Sequence, residues 1–181
     1  MKKLLILLFS LLISFNSNVV WSGEYETNPG FRDLRPGITN EEFASHCRGP
    51  ICYGIDNIRF STRPGIINGQ VVIDKIILDM GPIAQGEGDE SIFLKMKNNF
   101  DNKYILDYQY SERDRQLFNE GAKSYLLVVY SNGQVILRIN KKQNKKTYRK
   151  DLWLYVEYQG VESGKQFLKN YQPNESTMDD F

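Results

Sequence analysis

The clearest pattern in this chain is a run of alternating apolar and polar residues on both sides of Asn132-Gly133. Asn-Gly is typical of a two-residue type I′ turn, which would pair Ser131 with Gln134 and set the register of a hairpin over residues 124–140. We expect one face of this hairpin to lie in the core; it carries Leu126, Val128, Tyr130, Val135, Leu137 and Ile139. The opposite face is too apolar to meet water along its whole length, so a helix or a partner should cover part of it.

Similar alternation predicts further strands. Asn68-Gly69 comes just before one of them, which predicts a second hairpin with a rather long loop. The additional strands are expected at about residues 53–61, 70–80, 104–110 and 151–159.

Helical spacing and end signals predict four short helices. The first follows a capping box, in which the Thr39 hydroxyl accepts from the amide of Glu42, and it ends at Gly49. The third begins after Ser111 and ends at Gly121. The helices are expected at about residues 40–47, 90–100, 112–119 and 163–171.

These elements predict an α+β fold. We expect an antiparallel sheet of about five to six strands, arranged as hairpins, with the short helices packed on one face. An alternative is two helix–sheet subunits that share a core, with a boundary near residues 81–89. The predicted domain spans 38–172, after an extended segment at 23–37 and before a flexible acidic tail at 173–181.

The start of the chain predicts export. Lys2 and Lys3 precede an apolar stretch over residues 4–15, which has the length of a signal peptide and is too short to span a bilayer. Small residues near Ser22 favour cleavage after residue 22, and the alternative is a buried N-terminal helix. We therefore expect a periplasmic or secreted protein with no integral membrane segment after cleavage.

Charge and composition narrow the class of protein. The 181 residues carry a formal charge of +1, and 25% of them are charged while 13% are aromatic, which is typical of a globular chain. Removal of residues 1–22 lowers the basic count from 23 to 21 against 22 acids, giving a charge of −1. This balance excludes a globally basic nucleic-acid binder, and we expect no nucleic-acid partner.

The two cysteines, Cys47 and Cys52, are predicted to form a disulfide. Export to an oxidising compartment favours it, and Gly49-Pro50 supplies a turn that brings the sulfur atoms together. The alternative is a metal site that also uses His46, but it would need a fourth ligand and the chain has no other His or Cys. We therefore expect neither a metal nor a cofactor.

Two charged segments are candidates for partner binding. Residues 141–150 hold six cations and no acid between two predicted strands. They predict either a solvated connection or a contact for an acidic protein, an anionic lipid or another polyanion. Arg113 and Arg115 on the third helix could anchor a partner or pair with nearby acids. The cations of the first segment are Lys141, Lys142, Lys145, Lys146, Arg149 and Lys150.

The many tyrosines are a further candidate. Most fall on predicted strands and should be core residues, whereas an exposed cluster would be a platform for a protein or a sugar. Those on predicted strands are Tyr104, Tyr108, Tyr110, Tyr125, Tyr130, Tyr155 and Tyr158.

The opening of the predicted domain resembles a known type of protein. Pro36-Gly37-Ile38-Thr39, with the following short helix and Gly49-Pro50, resembles the opening of small envelope proteins of the outer-membrane-assembly BamE or β-lactamase-inhibitor type. The resemblance covers about fifteen residues. It implies helices packed on an antiparallel sheet and favours an envelope binding module.

No catalytic motif is present in the sequence. His46 is the one histidine and it adjoins the predicted disulfide, so a serine–histidine site would depend on it. We predict a non-enzymatic module that binds another protein, of the inhibitor, immunity or envelope accessory type. The alternative is a small secreted hydrolase that cleaves cell-wall glycan with a pair of carboxylates, because such pairs have no fixed spacing in sequence.

Overall fold

The computed structural model describes residues 29–84, 90–146, 148 and 150–171. The predicted signal peptide, residues 23–28 of the lead-in, the acidic tail and Arg149 lie outside the described residues. Residues 85–89 of the predicted boundary also lie outside them.

Four helices and eight strands make up the described part of the chain. The helices are α1 (Asn40–His46), α2 (Ser91–Asp101), α3 (Glu112–Asn119) and α4 (Val161–Lys169). The strands are β1 (Cys47–Arg48), β2 (Ile51–Cys52), β3 (Arg59–Ile67), β4 (Gln70–Ala84), β5 (Leu106–Gln109), β6 (Tyr125–Tyr130), β7 (Val135–Gln143) and β8 (Lys150–Gln159).

The strands confirm the predicted α+β fold. Six of them form one antiparallel sheet in the order β3-β4-β8-β7-β6-β5, and β1 and β2 form a separate two-stranded sheet. Strand β4 precedes residues 85–89 and β8 follows them. Because β4 pairs with β8, the two parts of the chain contribute strands to the same sheet.

The β6–β7 hairpin has the predicted register. Tyr130 pairs with Val135, and the Gln134 amide donates to the Ser131 carbonyl at 3.2 Å to close the turn. We call the side of the sheet that carries Leu126 and Leu137 the front face; both side chains are buried there in the main core cluster. The hydrophobic pattern therefore predicted the orientation of this hairpin correctly.

Helices cover both faces of the sheet. Phe93 of α2 and Phe118 of α3 belong to the front-face core, whereas Phe167 and Leu168 of α4 pack on the opposite, back face. The back-face residues under α4 are Leu127, Val129 and Ile136. The expectation that a helix covers this side is confirmed, and placing all helices on one face was wrong because β6 and β7 bring apolar side chains to both.

Helix α4 meets the β6–β7 turn through two glycines. A Cβ atom added at Gly133 would overlap the backbone of Gly164, and one added at Gly164 would lie 2.8 Å from the Asn132 carbonyl oxygen. The Gln159 side-chain amide donates to the Gly133 carbonyl at 2.7 Å just before the helix begins. Close backbone contact therefore sets the position of α4 on the sheet.

The first long strand lies later in the chain than predicted. We expected a strand at 53–61 and a long loop, but β3 runs over Arg59–Ile67, and Ile67 pairs directly with Gln70 across Asn68-Gly69. Pro64 lies within β3 at a register shift on the sheet edge, where a missing backbone N–H is tolerated.

Candidate protein-binding surface

The predicted basic segment does not form one loop. Lys141 and Lys142 belong to β7 and Lys150 begins β8, so the connecting turn holds Lys145 and Lys146. Successive strand residues point to opposite faces, which sends Lys141 to the front of the sheet and Lys142 to the back. The structure therefore divides the candidate cations between two surfaces.

Lys141 holds the end of α3. Its ammonium group donates to the Phe118 carbonyl at 2.5 Å and lies 4.6 Å from the centroid of the Phe118 ring. Carbonyl groups at the end of a helix lack helical partners, and a cation satisfies them well. These contacts give Lys141 a role in the fold.

We expect Lys141→Ala to lower the free energy of unfolding by about 1–2 kcal/mol, because it removes a charged hydrogen bond at a half-buried position. Lys145→Ala, at an exposed turn position, should change it by less than about 0.5 kcal/mol. Urea unfolding of the two variants measures the difference. Equal stabilities would contradict the role given to Lys141.

The arginines of α3 lie apart from the back face. Arg115 is 3.7 Å from the carboxylate of Glu90, which is itself buried, whereas Arg113 is exposed. Helix α3 packs on the front-face core through Phe118. Arg113 and Arg115 are therefore not brought together with Lys142.

A cluster that sequence reasoning missed lies on the back face, where β7 and β8 pair. Arg138 is opposite Tyr155, and Asn140 is opposite Trp153. The Lys142 ammonium lies 4.4 Å from the Trp153 ring centroid and 4.9 Å from that of Tyr155. We call these five residues the back-face cluster. Arginine, tryptophan and tyrosine are the residue types enriched where proteins bind one another most strongly.

An ion-pair network fixes one side of this cluster. Glu157 is only 5% exposed and receives Arg138 at 2.5 Å and Lys75 at 3.2 Å. Two cations therefore share one buried carboxylate, which orients the guanidinium group of Arg138 beneath the Tyr155 ring, 5.4 Å from its centroid.

Three buried polar atoms of the back-face cluster have no hydrogen-bond partner among the described residues. They are the hydroxyl of Tyr155, Nε of Arg138 and Oδ1 of Asn140. Buried polar atoms are nearly always paired in native proteins, and leaving one unpaired costs about 1–3 kcal/mol. Their concentration beside the solvent-exposed Lys142 marks a place where an external group could bind.

The tyrosines do not form an exposed platform in the described part of the chain. Tyr104, Tyr110 and Tyr130 are buried, which confirms for them the expectation that most of the tyrosines are core residues. Tyr108 and Tyr125 are half-buried beside Tyr171, which follows α4. Burial and a hydrogen bond with Tyr125 raise the pKa of Tyr171 to about 12.

This shift predicts alkaline sensitivity. An unfolded tyrosine ionises near pH 10, whereas folded Tyr171 keeps its proton to about pH 12. The associated stability is present below pH 10 and is lost as the pH rises from 10 through 12. Thermal unfolding from pH 8 to 11.5 should show a shallower decline for Tyr171→Phe than for the unmodified chain. Equal slopes would contradict the burial of this hydroxyl.

The predicted disulfide is confirmed. Cys47 and Cys52 are bonded and lie opposite each other across the β1–β2 turn, directly after α1. The bond pins the end of this helix to the start of the next extended segment and fits an oxidising compartment. Among the described residues, no group of three or more His, Cys, Asp or Glu side chains is placed to hold a metal ion.

Because the disulfide closes a short loop, we expect Cys47→Ser to lower the free energy of unfolding by about 2 kcal/mol or less. Urea unfolding with and without a reductant provides the same comparison in the unmodified chain. A loss well above this value would show that the bond organises more than its own loop.

The tip of the β3–β4 hairpin is a second exposed feature. Ile66 is 75% exposed and Val71 is 60% exposed, on opposite sides of the Asn68-Gly69 turn. Residues 64–73 contain no charge, so the tip is an apolar projection.

Comparisons of this chain with protein-family models, curated proteins and solved structures return no match. None of the described helices is long and apolar enough to cross a membrane.

Proposed function

We propose that the chain is an exported, non-enzymatic module that binds an acidic protein through the back-face cluster and the neighbouring turn cations Lys145 and Lys146. An inhibitor, an immunity protein or an envelope accessory factor would work in this way. The observation that carries the proposal is the group of unpartnered buried polar atoms beside exposed cations and the Trp153 ring. A bound protein would supply the missing hydrogen-bond partners and bury the ring.

Export is the second part of the proposal. Residues 1–22 have the charged start and short apolar stretch of a signal peptide, and the Cys47–Cys52 disulfide suits the periplasm or the exterior of the cell. Intact mass measurement of the exported protein should give a chain that starts at or near Gly23.

The distribution of charge supports rapid association. Lys145 and Lys146 are exposed on the turn that joins the two strands of the cluster, where they can attract an acidic surface before contact. Such cations act mainly on the association rate, and salt weakens their effect.

The test compares two variants that carry the same change in charge. The first is Lys142→Ser/Lys145→Ser/Lys146→Ser, and the second replaces three exposed lysines elsewhere on the fold. These control lysines are Lys95, Lys165 and Lys169. Each tagged protein is expressed in its native cells and purified at low and high salt, and the proteins retained with it are quantified by mass spectrometry.

We expect a protein that is retained by the unmodified chain and the control variant, is released by high salt, and is depleted with the first variant. Equal retention by both variants would contradict a contact through this surface. Retention that salt does not weaken would contradict the acidic nature of the partner.

A further inference from the structure

The geometry points to a carboxylate-recognition site within the back-face cluster, and this inference rests on the proposed function. We infer that one Asp or Glu side chain of the partner accepts hydrogen bonds from the Tyr155 hydroxyl and from Nε of Arg138. The Lys142 ammonium supplies the counter-charge. Oδ1 of Asn140 accepts from a backbone amide of the same bound segment.

The available hydrogen-bonding groups define the chemistry of the ligand. A tyrosine hydroxyl and a guanidinium N–H both donate, and an ionised carboxylate only accepts, so it satisfies both at once. The oxygen of a neutral glutamine can also accept from both donors, but it carries no charge, so its hydrogen bonds to the guanidinium are weaker and it does not attract Lys142. The site should therefore distinguish a glutamate from a glutamine of almost the same shape.

The two donors are held in place before a ligand binds. Tyr155 is 7% exposed on β8, and Arg138 lies opposite it on β7 with a terminal nitrogen already bound to Glu157. The Nε atom of Arg138 therefore remains for another acceptor while the guanidinium group is fixed. Because these donors are already ordered, the entropic cost of binding a ligand is lower.

Lys142 is placed to control access. It is exposed, and its ammonium lies over the faces of both Trp153 and Tyr155. Contacts between an exposed cation and aromatic rings are weak, so the long side chain can move aside at small cost. The same movement brings its charge to an arriving carboxylate and exposes the Tyr155 ring face that the ammonium covers.

The neighbouring acids already have partners of their own. Asp79, opposite Tyr155 on β4, accepts from the Gly81 amide at 2.9 Å through Oδ1, and Glu157 is held by two cations. Asp151, opposite Lys142, accepts from the Asn144 side-chain amide at 2.8 Å. Three cations, Lys75, Arg138 and Lys142, therefore face three acids, and recognition of a carboxylate rests on the two free donors and not on an excess of positive charge.

Fluorescence of Trp153 provides a direct measurement. The chain has two tryptophans, Trp21 and Trp153, and removal of residues 1–22 leaves only Trp153. The exported protein is titrated with blocked hexaglutamate and with blocked hexaglutamine as the uncharged probe. We expect hexaglutamate to change the fluorescence and to bind at least about tenfold more tightly than hexaglutamine.

Two variants separate the carboxylate site from general attraction. Tyr155→Phe removes one donor and keeps the ring, so it should weaken hexaglutamate binding about tenfold and reduce the discrimination between the probes. Lys145→Ser should reduce the salt dependence but retain the discrimination, and Ile66→Thr at the hairpin tip should change neither. Equal binding of both probes, or unchanged discrimination in Tyr155→Phe, would overturn the inference.

The chain's own acids provide one further decisive outcome. If replacing Glu175, Asp179 and Asp180 by their amides strengthens hexaglutamate binding, the site is filled from within the chain and its assignment to a partner is overturned. Failure of the peptide titration with charge-dependent retention of a protein would refute the carboxylate site alone. Failure of retention with successful titration would refute the proposed function alone.

Discussion

Gly133→Ala should lower the free energy of unfolding by about 3 kcal/mol, because the new methyl group meets the backbone of Gly164 in α4. Gly133 also has φ of +80°, where an L-residue costs about 1–2 kcal/mol by itself. The atoms that the methyl group meets are backbone atoms of Gly164, which cannot move aside as a side chain can. The whole helix must therefore move away from the apolar residues of the back face.

Gly69→Ala is the matched control. Gly69 also follows an asparagine in a tight hairpin turn and has φ of +77°, but a Cβ atom there would meet nothing within 4 Å. We expect this variant to lose only the backbone contribution, about 1–2 kcal/mol. Urea unfolding of both variants isolates the overlap with α4. Equal losses would show that the contact between helix and turn is loose.

The second large effect is expected at Glu157. Glu157→Gln should lower the free energy of unfolding by about 2–3 kcal/mol, because it leaves Arg138 and Lys75 without their shared anion. Breaking a fully buried pair costs about 3–5 kcal/mol, and the partial exposure of Arg138 reduces this value.

Glu162→Gln provides the comparison for Glu157. Glu162 pairs with Lys165 at 2.9 Å, but its side chain is 87% exposed, so the loss should stay below about 0.5 kcal/mol. Thermal and urea unfolding at pH 7 measure both variants. A small loss for Glu157→Gln would mean that water replaces the carboxylate, and the fixed position of Arg138 would no longer be supported.

The sequence predicted correctly those elements that are determined by turn or capping residues close to them in the chain. Asn132-Gly133 set the β6–β7 register, and Ser111 begins α3 with a capping box in which Asp114 is the second partner. The same Asn-Gly signal at residues 68–69 predicts the second hairpin, but its first strand lies at Arg59–Ile67 and not at about residues 53–61. Pro64 is tolerated within β3 because this strand lies at the edge of the sheet and its register shifts between Arg63 and Pro64.

The candidate site depended on pairing between distant strands. The high density of cations in residues 141–150 identified this segment as a candidate site. In the structure, neighbouring residues of β7 point to opposite faces, so Lys141 contacts α3 and Lys142 contacts the aromatic rings of β8. Arg138 and Tyr155 lie on the back face, opposite each other. Their juxtaposition requires the β7–β8 register, which no turn signal in the sequence determines.

Site-specific photo-crosslinking in native cells tests most directly whether the β7–β8 surface binds a protein. A photoreactive amino acid replaces Lys145 in the turn beside the back-face cluster, and Lys165 on α4 serves as the exposed control position. We predict an adduct to an acidic protein from position 145 that is absent from position 165 and is lost when excess unmodified protein competes. The same adduct from both positions, or none from position 145, would contradict the account.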